Sequence, residues 1–144
     1  MYKLYCPNKK CRFTCYYCGL AAPTLDHVPS LATVDYIFAD ELDRDADFLK
    51  VPACKECNSL AGAKLHLTLH DRFIFLKYAL LGKYTKAFKM PYWSEDDLEE
   101  MDRTMQVYIQ AALDFRDFLR DRIIYGFASK EEARHVLSTH FLDY

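Results

Sequence analysis

The sequence predicts an α+β fold, and three observations carry that prediction. Two Cys-x-x-Cys pairs, Cys15/Cys18 and Cys54/Cys57, stand in one short segment, a spacing that reads as a closed, tetrahedral four-thiolate zinc site. Two short β-prone runs, Thr24 to Val28 and Phe48 to Val51, lie between those pairs and each stops at a proline, Pro29 or Pro52. After Asn58 the pattern turns helical: Leu65, Leu69, Phe73, Leu76 and Leu80 recur at steps of three and four. The expected architecture is a small unit of two strands and a helix, stapled by the cysteines, over residues 1–62. A mainly α-helical C-terminal half follows over residues 63–144.

Taken in order, Met1 to Phe13 carries Tyr2, Leu4 and Phe13 as apolar anchors and a turn at Pro7-Asn8. Cys6 and Cys11 are spaced too widely for a knuckle and read as ordinary structural cysteines, because the other four complete a zinc set. Gly19 supplies the turn after the second ligand. Asp26 and His27 fall at a strand end, and Ser30 to Asp47 is an acidic surface excursion with a short helical piece. The first long helix ends or kinks near Gly82, and Met90 to Trp93 is a connector. Ser94 with Asp97 has the spacing of a capping box opening the next helix. Tyr108, Ala112, Phe115, Leu119 and Ile123 form a second apolar stripe, which assigns Tyr108 and Phe115 to the core. Ser129 reads as the N-cap of a last helix running to about Thr139.

Composition supports a packed, water-soluble chain. Of 144 residues, 51% are hydrophobic and 15% aromatic, which allows a core and argues against disorder. The longest apolar run, Arg72 to Gly82, is interrupted by Lys77 and is too short to span a bilayer. Met1 to Cys18 has charge and cysteines where a signal peptide would have an apolar block. A cytoplasmic location follows as the expectation, and in that reducing compartment paired cysteines favour metal over disulfides. The net charge of −2 is unevenly spread. Basic residues occupy Met1 to Ala22 and Lys64 to Lys89, while acids gather in Asp35 to Asp47 and Glu95 to Asp102, a segregation able to steer a polyanion to one face. From charge alone, solvated helix faces are the favoured reading of the same residues.

The middle of the stapled segment carries an acid, an imidazole and an amide. Hydrolysis of a phosphodiester needs an activated water, charge neutralisation on the phosphate and stabilisation of the departing oxygen. His27 has the chemistry of a general base near neutral pH. A hard divalent cation takes oxygen ligands of the kind offered by Asp26 and Asn58. Neighbours on an extended strand face opposite sides, so Asp26 can turn to a metal while His27 turns to the water. Asn58 is expected to open a helix directly behind Cys57, where the positive dipole end favours phosphate.

The run Cys15-x-x-Cys18, Asp26-His27-Val28-Pro29, Val51-Pro52-Ala53-Cys54-x-x-Cys57-Asn58 resembles the HNH endonucleases of the ββα-metal class. Cys54 to Gly62 is also similar to the zinc-knuckle end of phage recombination endonucleases of the endonuclease VII type. The resemblance covers roughly a third of the chain. It implies that His27 is the general base, that Asp26 and Asn58 hold a catalytic Mg2+ or Mn2+, that Cys15, Cys18, Cys54 and Cys57 hold a structural Zn2+, and that DNA is the substrate. The family's middle asparagine, which braces the histidine, has no counterpart before Val51. Asp47 is the nearest residue for that role, isosteric but an acceptor only. Ala61 stands where a lysine often follows the last cysteine.

A second reading is a zinc-stabilised module whose nuclease site is weak or inactive and which binds nucleic acid or protein. The helical half is also a surface for a protein partner or for self-association. His66 and His70 stand four apart on a helix, a metal-binding spacing, but no third ligand accompanies them, which favours surface or partly buried histidines.

Overall fold

The computed structural model describes residues 2–7, 12–34 and 46–142. The acidic excursion from 35 to 45 and Cys11 lie outside the described residues. The fold is α+β, with a small sheet in the first third and a mostly helical C-terminal half. Three strands make the sheet: β1 (Lys3–Leu4), β2 (Thr24–Val28) and β3 (Leu49–Ala53), in the order β1-β3-β2. β2 and β3 are the expected hairpin legs, antiparallel with Asp26 opposite Val51 and His27 opposite Lys50. β1 is an addition, parallel to β3 at Leu49 and Lys50.

β3 continues through Pro52 to Ala53 instead of ending before the proline. Proline lacks the N–H that a ladder requires and is tolerated at a sheet edge. β1 reaches only as far as Lys50, so Pro52 sits where no further strand needs its N–H. Its carbonyl accepts from the Tyr16 N–H at 2.9 Å.

The helices are α1 (Leu31–Val34), α2 (Lys55–Ala61), α3 (Leu69–Lys83), α4 (Thr85–Phe88), α5 (Glu95–Glu99), α6 (Arg103–Ile124) and α7 (Lys130–Leu137). Two compact units divide the chain, Met1–Ala79 and Leu80–Tyr144. In the first, Val28, Val51, Ala53, Ala61, Leu69, Phe73 and Leu76 are buried around the sheet and the cysteines, and α2 packs on β2. Leu65, counted in the helical stripe, precedes the helix and is exposed. In the second unit α4 and α7 pack on α6, and Phe88 stacks on Phe141 with centroids 5.8 Å apart.

The Ser94–Asp97 capping box is present in both directions, but it opens only the five-residue α5. The long helix α6 starts separately, capped by the Asp102 carboxylate on the Met105 N–H. Its buried face is Ile109, Arg116, Leu119, Arg122 and Ile123. Tyr108 and Phe115 are exposed, 69% and 46%, so the stripe was out of phase at its N-terminal end. Arg116 and Arg122 are buried at positions that a hydrophobicity pattern scores as polar, which shifts the buried face away from the apolar stripe. Ser129 caps α7 by accepting from the Glu132 N–H at 3.1 Å.

No helix among the described residues is long and apolar enough to cross a membrane. Leu76 is fully buried in the first unit. Leu76→Ala is expected to destabilise it by about 2–5 kcal/mol through lost burial and a residual cavity, read from urea unfolding followed by Tyr fluorescence and circular dichroism.

Candidate metal centre and adjoining polar site

Cys15, Cys18, Cys54 and Cys57 converge. All four are buried, and their sulfurs lie within 4.8 Å of one another. Cys18 and Cys54 Sγ are 3.6 Å apart, far beyond a disulfide. A tetrahedron with metal–sulfur bonds of about 2.3 Å has edges of about 3.8 Å, and the observed separation fits that figure. The backbone arranges this locally. Gly19, at φ +82°, turns the chain after Cys18, and its N–H donates to the Cys15 carbonyl at 3.0 Å. Cys54 is the N-cap of α2, its sulfur accepting from the Cys57 N–H at 3.4 Å.

Four thiols this close share protons. Hydrogen bonding to Cys18 pushes Cys15 up, and hydrogen bonding to Cys15 pushes Cys57 up. The same network, with Cys15 as the largest partner, holds Cys18 down and Cys54 down to about 6. A divalent cation lets all four sit together as thiolates. The cluster is positioned to bind a metal ion, and its donor set and dimensions fit zinc.

Asp26, His27 and Asn58 meet at a second place. Together with Leu25, Ser30, Leu31, Gly62 and Arg72 they line a cavity of about 170 Å³. Asn58 lies within α2, not at its start as expected: the helix begins at Lys55, because Cys54 already serves as the cap. The Asn58 amide nitrogen donates to Thr24 Oγ1 at 3.1 Å and to the Leu25 carbonyl at 3.3 Å. Both contacts fix the amide's orientation and leave Oδ1 as its uncommitted acceptor. His27 packs edge-on against the Tyr2 ring, centroids 5.0 Å apart, while the Tyr2 hydroxyl anchors that ring by donating to the Pro29 carbonyl at 2.5 Å. Partial burial, and to a lesser degree Lys50 across the ladder, hold the imidazole below its ordinary 6.5 against the opposing pull of Asp26.

Asp26 is buried and strongly engaged. Oδ2 accepts from the Tyr17 hydroxyl at 2.5 Å and from Arg72 Nε at 2.7 Å, and Oδ1 accepts from Arg72 Nη2 at 2.8 Å. A carboxylate offers about four acceptor positions, so one remains, on Oδ1. Arg72 is only 1% exposed. Its second Nη2 hydrogen goes to the Gly62 carbonyl at 3.0 Å, and its Nη1 pair goes to the Lys64 carbonyl at 3.0 Å and His66 Nδ1 at 3.2 Å. All five guanidinium donors are therefore committed. His66 is an acceptor in this network, and burial with the Arg72 charge pushes it below its ordinary 6.5. Lys77, also fully buried, donates to the Tyr17 carbonyl and lies 4.9 Å from the Phe73 ring centroid.

Asp47, expected as the brace of His27, is held at the start of α3. Its carboxylate Oδ2 accepts from the Leu69 N–H at 2.6 Å, and its own N–H donates to the Leu67 carbonyl at 2.9 Å. The start of a helix presents unpaired N–H groups, and Asp47 serves one of them. His70 is exposed and Cys6 is half-buried. The sequence reading missed Tyr2, Tyr17 and Arg72. An arginine inside an apolar helical stripe was the available signal, since a fully buried guanidinium demands an acidic partner.

Cys54→Ser is expected to remove the bound metal, measured by elemental analysis of the purified protein, and to lower the unfolding midpoint of the first unit. Arg72→Met leaves the Asp26 carboxylate buried without its cation and is expected to cost about 3–5 kcal/mol. Adding Asp26→Asn to Arg72→Met should restore part of that loss, and equal stability of the single and double variants in denaturant titrations would contradict the pairing.

No family model matches this chain, and no curated protein and no solved structure matches it either.

Proposed function

We propose that this protein is a divalent-metal-dependent endonuclease of the HNH type that hydrolyses DNA phosphodiester bonds, its stapled unit held by a structural zinc on Cys15, Cys18, Cys54 and Cys57. The observation that carries this reading is the single cavity lined by Asp26, His27 and Asn58. His27 takes the proton of the attacking water. Its pKa is depressed by burial, so the imidazole is neutral, and able to accept that proton, at pH 7. Asp26, with one acceptor position left on Oδ1, and Asn58, with Oδ1 uncommitted, line the same cavity, and hard oxygen donors of this kind suit Mg2+ or Mn2+ with water completing the shell. When bound, such an ion supplies charge neutralisation at the phosphate and at the departing oxygen. Arg72 sets the Asp26 carboxylate in place, and Tyr2 sets the imidazole.

Two observations favour a second reading, a zinc-stabilised module that binds nucleic acid or protein without cleaving it. Arg72 takes much of the acceptor capacity of Asp26, and Asp47 is occupied at α3.

Plasmid nicking with magnesium or manganese separates the two. His27→Ala is expected to lower the rate by about 10²–10⁴-fold at every metal concentration. Asp26→Ala and Asn58→Ala should shift the metal requirement upward, Asn58→Ala more mildly. The wild-type rate should climb with pH through a midpoint below 6.5, because only the neutral imidazole accepts a proton and its pKa is depressed. Equal cleavage by wild type and His27→Ala, or no cleavage of any DNA form, removes the catalytic reading.

A further inference from the structure

The cavity at His27 has a neighbour. Thr24, Lys55, Asn58 and Ser59 line a second hollow of about 260 Å³, and Asn58 is a wall of both. One hollow lies at the His27 end of β2 and the other at the Thr24 end, a span of about 10 Å at the rise of an antiparallel strand.

A phosphate backbone laid across a reacting centre needs cations beside it, and phosphate contacts fix its register. Apart from His27, the cationic side chains lining the two hollows are Arg72 and Lys55. Arg72 has every donor committed within the protein, so it has none to give a ligand. Lys55 is exposed, and no hydrogen bond or ion pair engages its ammonium among the described residues. The Ser59 hydroxyl is likewise uncommitted. Thr24 differs: its hydroxyl donates to the Ala53 carbonyl at 2.7 Å and accepts from Asn58. The second hollow thus presents one free ammonium and one free hydroxyl beside the side chain it shares with the first.

We propose that Lys55 and Ser59 bind a backbone phosphate of a nucleic-acid strand, next to the phosphate that lies at His27. This rests on the nuclease reading for the strand's position at His27, and it adds a direction: the strand runs along β2 from the His27 end towards Lys55. A strand held at a phosphate beyond the reacting one is gripped along its length, which suits cleavage at internal bonds.

The test uses the full-length, zinc-loaded His27→Ala protein, so that binding is read without cleavage. Its affinity for a labelled duplex oligonucleotide is measured by fluorescence anisotropy between 50 and 200 mM KCl. Adding Lys55→Gln should weaken binding across unrelated sequences and reduce the slope of log affinity against log salt by about 0.9, the value for one phosphate contact on duplex. Ser59→Ala should weaken binding with the slope retained. Lys86→Gln, an exposed lysine on α4, serves as the control for general charge. Unchanged affinity and slope in Lys55→Gln, or an equal change in Lys86→Gln, overturns the subsite. Inorganic phosphate binding as tightly as the oligonucleotide would reassign the hollow to free phosphate and overturn the strand path. A Lys55 effect in the absence of wild-type cleavage removes the nuclease reading and leaves the subsite. Wild-type cleavage without a Lys55 effect removes the subsite alone.

Discussion

Four sulfurs drawn within 4.8 Å of one another are the constraint on which the first unit depends. Its sheet has strands of two, five and five residues, too small to hold its own geometry by apolar burial alone. The cysteines shift that work onto the chain's connectivity. β2 lies between Cys18 and Cys54, β3 runs directly into Cys54, and α2 is capped by Cys54 and contains Cys57. Closing the cluster therefore sets both hairpin legs and the helix that carries Asn58. A metal at this position acts through folding, since the thiols pushed up by their neighbours give way to thiolates only when a cation shares their charge.

The Asp26–Arg72 pair is the second organising contact, and it reaches across 46 residues of chain. It joins β2 to α3, while the remaining donors of the same guanidinium draw in Gly62, Lys64 and His66. A guanidinium so thoroughly used has no donor left for a ligand, and its charge is largely balanced by Asp26. Lys77 is withdrawn in the same way, so the basic run from Lys64 to Lys89 is weaker at the surface than its composition implies. Asp26 is correspondingly a guarded carboxylate: a cation approaching Oδ1 would meet a group already partly neutralised by a guanidinium at 2.8 Å. Coulomb repulsion between the two cations weakens metal binding there relative to an unpaired aspartate.

What could be read in the sequence was whatever short-range spacing encodes. The Cys-x-x-Cys pairs, the two β-prone legs, the Leu69–Leu80 stripe and the caps at Ser94 and Ser129 each depend on residues a few positions apart. Asp26, His27 and Asn58 were singled out by their places between and beside the cysteine pairs, and they line one cavity. The Arg72–Asp26 and Lys77–Tyr17 contacts were not, for they span 46 and 60 residues and have no local signature. Asp47 was singled out by its place before Val51 as the brace of His27, and its carboxylate accepts from the Leu69 N–H at the start of α3, a contact across 22 residues with no local signature. On α6 the pattern erred in phase, since Arg116 and Arg122 are buried where a polarity count places solvent.

The side of β3 that faces β1 bears on how this protein behaves at high concentration. Along that side the carbonyls of Phe48, Lys50 and Pro52 already accept from Lys3, Tyr5 and Tyr16, and Pro52 has no N–H to offer. A strand exposed at a sheet edge ordinarily recruits strands from other molecules through such groups. Here each of those acceptors is taken and the last residue before Ala53 cannot donate, so β3 itself offers a neighbouring molecule little to extend past the end of β1. The proline that looked like the end of a strand lies within it, at the point where Tyr16 takes over from β1 as the partner of β3.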